Sequence, residues 1–129
     1  MVEHGKYKVT VESAVISVTF IGMFNEKTSR NLCSRVEDLI HGMNGASFCV
    51  MFNILNYEGS TPEAHKIGDK HFEWLEKQNC LGRATVVTQK ALVNIARSKQ
   101  ESLRISNVEA RIFDNENDAK EWLLSLLGK

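Results

Sequence analysis

Residues 47–63 read Ser-Phe-Cys-Val-Met-Phe-Asn-Ile-Leu-Asn-Tyr-Glu-Gly-Ser-Thr-Pro-Glu. The first six form a nearly continuous apolar run, the pattern of a parallel strand covered on both faces. Asn53 to Gly59 is polar enough to read as a loop. Thr61-Pro62-Glu63 then opens a helix. Thr61 can cap it, Pro62 suits the first helical position, and Glu63 complements the positive end of the helix dipole. A buried strand running through a loop into a capped helix is the unit of an α/β fold.

The rest of the chain repeats this unit. Upstream, Tyr7, Val9 and Val11 alternate with Lys8, Thr10 and Glu12, as in a half-exposed edge strand. A tight turn near Glu12 and Ser13 leads to a central, β-branched strand from Val15 to Ile21, so the two strands form a hairpin. Asn25 to Met43 reads as a helix, with Leu32, Val36, Leu39, Ile40 and Met43 on one stripe and Gly42 or Gly45 ending it. Downstream, the helix after Thr61 turns Ala64, Ile67, His71, Trp74 and Leu75 inward. Ala84 to Thr88 is a strand. Thr88 caps a further helix with Ala91, Leu92, Ile95 and Ala96 inward. Val108 to Phe113 is a fifth strand, and Asp114 or Asn115 caps a last helix carrying Ala119, Trp122, Leu123, Leu126 and Leu127. The order is β-β-α-β-α-β-α-β-α, which predicts a five-stranded, mostly parallel sheet with one antiparallel N-terminal strand.

This order resembles the STAS fold, named for sulfate transporters and anti-sigma-factor antagonists. Three stretches carry a closer resemblance to the bacterial SpoIIAA-like family, which is catalogued near the CRAL-TRIO lipid-binding domains. They are Tyr57-Glu58-Gly59-Ser60-Thr61-Pro62-Glu63-Ala64, Arg83-Ala84-Thr85-Val86-Val87, and Val108-Glu109-Ala110-Arg111-Ile112-Phe113-Asp114 running into Ala119-Lys120-Glu121-Trp122-Leu123. The chain departs from the family pattern at Ser60, where a Trp is usual, and at Gln89-Lys90-Ala91-Leu92, where many members carry another Trp. The resemblance implies one STAS-like domain over residues 1–129. It also implies a phosphorylation switch at a Ser or Thr opening the second helix, here Ser60 or Thr61, although the Asp-Ser-Ser-Gly type of loop is replaced by Glu58-Gly59-Ser60-Thr61.

The totals narrow the function. The 129 residues suit one domain, and 43% apolar with 25% charged residues is globular composition. Sixteen basic residues balance sixteen acidic ones, so the concentrated positive charge of a nucleic-acid binder is missing. Near-neutral charge leaves self-association unopposed, and a homodimer is expected. The polar start, residues 1–8, is unlike a signal peptide, and the longest apolar run is too short to span a membrane. Cys33, Cys49 and Cys80 are widely spaced and odd in number, which fits a reducing bacterial cytoplasm.

Ligands of open parallel sheets sit beyond the carboxyl ends of the strands. That edge supplies the candidate ligand- or partner-binding residues Asn56, Tyr57, Ser60, Thr61, Thr88, Gln89 and Lys90, alongside Asn53, Asp114 and Asn115, all residue types that also serve as ordinary caps and turns. His65 and Asp69 are four apart on one helix face, without a third metal ligand in reach. His71 falls on the apolar stripe as a core histidine. Gly68 interrupts the same helix, either for close packing or at a simple cost in helix stability. The chain has no GxGxxG, Walker A, GxSxG or HExxH motif, and Asp114 with Lys90 is the only chargeable pair at the sheet edge. The expected function is a non-enzymatic, cofactor-free binding or regulatory module for a protein partner or a small apolar or anionic ligand. The alternative is a small-molecule or lipid carrier, with an apolar pocket near the second helix or at a dimer junction.

Overall fold

A computed structural model of the chain describes residues 2–90 and 109–128. Strands β1 (Lys6–Glu12), β2 (Val15–Phe24), β3 (Phe48–Ser60), β4 (Cys80–Val86) and β5 (Glu109–Phe113) form one sheet in the order β1-β2-β3-β4-β5. β1 runs antiparallel to β2, and the other neighbours are parallel. Helix α1 (Glu26–His41) joins β2 to β3, α2 (Pro62–Glu76) joins β3 to β4, and α3 (Glu116–Leu127) follows β5. The expected helix beyond Thr88, with Ala91, Leu92, Ile95 and Ala96, lies outside the described residues apart from its helical start at Gln89 and Lys90.

The hairpin closes on Ser13 and Ala14, both with positive φ, and Glu12 pairs with Val15. Two left-handed residues between paired positions match the twist of the flanking strands. Asn115 caps the last helix as expected, and Asn25, read as the first residue of a helix, is instead the cap of α1. Asn25 Oδ1 accepts from the Thr28 amide at 3.0 Å, and Asn115 Oδ1 accepts from the Asp118 amide at 2.9 Å. Gly42 ends α1.

β3 explains why its first half is apolar at every position. Phe48, Val50 and Phe52 belong to one core with Ile16, Val18, Leu32, Val36, Ile40 and Leu75, on the face covered by α1 and α2. Cys49 and Met51 belong to a second core with Val15, Ala84, Val86, Leu123 and Leu126, on the face covered by α3. Side chains alternate along a strand, so a strand buried on both sides needs apolar residues throughout.

The segment expected to be a loop, Asn53 to Gly59, is instead strand. β3 stays paired with β2 as far as Phe24 opposite Ser60, whereas its pairing with β4 stops at Asn53 opposite Val86. The register slips twice, between Thr19 and Ile21 and between Gly22 and Met23, each time with an extra residue on β3. Such bulges bend a strand and break its alternation, which hides it from a pattern of period two. The result is a bent two-stranded ribbon that carries the chain beyond β4 and delivers it to α2.

Candidate functional site

Helix α2 does not lie flat on the sheet. Ala64 in its first turn and Leu75 near its end are buried, and His71 ties it to α1 through a 2.8 Å contact between Nδ1 and Glu37 Oε2. The His71 ring stacks on Trp74, with centroids 5.9 Å apart. Between these anchors stands Gly68, whose missing side chain would meet nothing within 4 Å among the described residues. The helix and the sheet therefore enclose a cleft of about 720 Å³, within the size range of small-molecule sites.

Its lining follows from the alternation of the strands. Val18 and Phe20 come from β2, Phe52 and Ile54 from β3, and Leu32, Cys33 and Val36 from α1. Phe24 and Tyr57 come from the far end of the ribbon, and Phe72 from α2. The aromatic rings form a connected wall. Phe20 lies 5.3 Å from Phe24, 5.4 Å from Tyr57 and 6.0 Å from Phe52, and Phe52 lies 5.4 Å from Phe72. Aromatic pairs at these separations stabilise one another and hold the wall in shape.

Polar groups lie along the mouth and at one corner, and the buried Ser29 of α1 and His71 of α2 also belong to the lining. His65, Asp69 and Glu73 are exposed along α2. Arg83 of β4 is buried, stands over the Phe72 ring at 5.3 Å, and lies 3.7 Å from Glu76. Tyr57 OH and Ser60 Oγ are hydrogen-bonded to each other at the ribbon's end.

Of the candidate residues, Tyr57 and Ser60 line the cleft. Thr61 caps α2, its Oγ1 accepting from the Ala64 amide at 3.2 Å. Asn56 is exposed on the ribbon. Thr88, Gln89 and Lys90 are exposed at the carboxyl end of β4, outside the described lining. There Gln89 Nε2 donates to Asp114 Oδ2 at 3.0 Å. This bond, with a second from Asn115, holds the Asp114 carboxyl below its ordinary range. The strand edge is thus two separate places, because the ribbon carries Tyr57 and Ser60 beyond the end of β4. His65 and Asp69 are on the exposed side of α2, as expected, and they also edge the mouth. No group of three or more metal-ligating side chains exists among the described residues.

The aromatic wall escaped the sequence reading. Its one visible signal is the pairing of Val18 and Phe20 with Phe52 and Ile54 at alternate positions of neighbouring strands. Phe72 sits beside the inward stripe of α2 and faces the cleft for that reason.

The cysteines are poor nucleophiles here. Burial pushes the Cys33 thiol up to about 12, with Glu37 adding to the effect. Burial likewise raises Cys49 to about 11 and Cys80 to about 12, in both cases against a backbone hydrogen bond to Gly82 that lowers them. The thiolate is the reactive form, so all three are held in the inert one.

The SpoIIAA-like family model matches residues 15–124. The chain belongs to the SpoIIAA-like family. The match takes in the ribbon, α2 and every strand of the sheet except β1. Two solved structures share the SpoIIAA-like fold along almost the whole length. An uncharacterised protein of Shewanella loihica with a SpoIIAA-like fold is 12% identical, with a TM-score of 0.68 over 95% of this chain and 96% of that one. An anti-sigma factor antagonist of Mycobacterium paratuberculosis is 13% identical, with a TM-score of 0.59 over 94% and 95%. At such identities the likeness is one of fold. No curated protein matches the chain. No helix among the described residues is long and apolar enough to cross a membrane.

Proposed function

We propose that this chain is a non-catalytic, single-domain binding module whose working part is the cleft beneath α2, and that its occupant is a small, largely apolar molecule. The observation that carries this reading is the aromatic wall of Phe20, Phe24, Phe52, Tyr57 and Phe72 around about 720 Å³ of space. Apolar walls with a few polar groups at the mouth are the usual make-up of small-molecule sites. The inert thiols support a binding role over a nucleophilic one. Ser60 and Tyr57 contribute to the floor of this site, and Thr61 fixes the helix that roofs it.

A second reading gives the module a protein partner or a second copy of itself. It is favoured by Ile21, Met23 and Leu55, which are exposed at 42%, 49% and 38% on the β2–β3 ribbon, and by the likeness in fold to an anti-sigma factor antagonist. Under that reading Ser60 and Thr61 are the hydroxyls where a phosphate would alter the contact, in a protein working in the cytoplasm.

Titration of isotope-labelled protein with 1-decanol, followed by amide NMR, separates the two. The cleft reading expects saturable shifts at Phe20, Phe52, Gly68 and Phe72. Shifts confined to Ile21, Met23 and Leu55, or none at all, overturn it.

A further inference from the structure

Resting on the cleft reading, we infer that the site selects its ligand by charge, taking an apolar body with a cationic nitrogen in preference to one with a carboxylate. The described lining carries three carboxylates, Asp69, Glu73 and Glu76, against one guanidinium, Arg83. The guanidinium is already engaged, lying 3.7 Å from Glu76 and over the ring of Phe72. Asp69 and Glu73 have no ion-pair partner among the described residues. They stand four residues apart on α2, so they neighbour one another on one face at the mouth.

Two neighbouring carboxylates with no ion-pair partner among the described residues repel an anionic head group and attract a cationic one, in a field softened by Lys66 and Lys70 three residues before each on the same helix. The walls work in the same direction. Ring faces carry negative potential, and a cation near them is stabilised when it leaves water. Phe20, Phe24, Phe52, Tyr57 and Phe72 present such rings along the path inward. An alkyl or aryl amine satisfies both features, its apolar body against the rings and its ammonium between Asp69 and Glu73. A fatty-acid anion of the same length satisfies only the first.

The test compares three probes of equal length, decylamine, 1-decanol and decanoate, by isothermal titration calorimetry at neutral pH and low salt. The amine is expected to bind at least tenfold more tightly than decanoate, with decanol between them. In the variant Asp69→Asn with Glu73→Gln, both changes being at exposed positions, the amine's advantage over decanol is expected to vanish. Raising the ionic strength should shrink the same advantage, because screening shortens the reach of exposed charges. Decanoate binding as tightly as the amine, or an amine preference that survives in the double variant, overturns the charge inference and leaves the cleft standing. Failure of all three probes to bind overturns the cleft reading itself.

Discussion

Gly68 is the seventh of fifteen residues in α2, and a glycine in the middle of a helix needs a reason. Its backbone is helical, and a side chain added to it would meet nothing within 4 Å among the described residues. The close approach to the sheet that a glycine often permits is therefore not what holds it there. Replacing it with alanine should restore the helix propensity it forgoes, about 0.8–1 kcal/mol. With an unfolding entropy of roughly 2.1 cal/mol/K per residue, a domain of this length should gain about 3–4 °C in Tm. Thermal unfolding followed by circular dichroism measures this directly. Gly68→Trp puts a bulky indole at a position that lines the cleft. That variant should be at least as stable as the parent, yet lose binding of 1-decanol. A fall in Tm for Gly68→Ala would show that something approaches Gly68 closely. Unchanged decanol binding by a folded Gly68→Trp protein would show that the ligand sits elsewhere.

Two further outcomes follow from the packing and the thiols. Leu123 is fully buried between α3 and the sheet, so Leu123→Ala should cost about 2–5 kcal/mol in urea unfolding, in proportion to the cavity it leaves. Cys33, Cys49 and Cys80 titrate at about 12, 11 and 12 in the folded chain, against roughly 8.5 when unfolded. Above that lower value the unfolded chain holds fewer protons than the folded one, so stability falls as pH rises, from about pH 8.5 to about pH 12. Denaturant melts across this range should show a shallower decline in Cys33→Ala than in the parent.

How much of this was legible beforehand depends on where periodicity is preserved. The run from Phe48 to Phe52 announced a strand buried on both faces, and Thr61 and Asn115 sit at the caps their chemistry suggested. Asn53 to Gly59 misled because two bulges destroy the alternation, and because polar residues such as Asn56 and Glu58 are tolerated where β3 pairs with β2 on one edge and, past Asn53, with no strand on the other among the described residues. Misplacing that strand scattered the site. Asn56, Tyr57, Ser60 and Thr61 were expected to share one edge with Thr88, Gln89 and Lys90, but the ribbon lifts the first group past the end of β4. The cleft itself depends on how far α2 stands off the sheet. That distance is set by the His71–Glu37 contact, by Trp74 and by the aromatic rings, which are long-range pairings that no local pattern announces.

The most direct test of the central claim is native mass spectrometry of the parent and Gly68→Trp proteins after each is incubated with a small-molecule extract of the source organism. The parent is expected to carry one small apolar molecule per chain, and the Trp variant, folded and equally exposed to the extract, is expected to carry none. A parent that emerges bare, or a variant that holds the same molecule to the same extent, contradicts the claim.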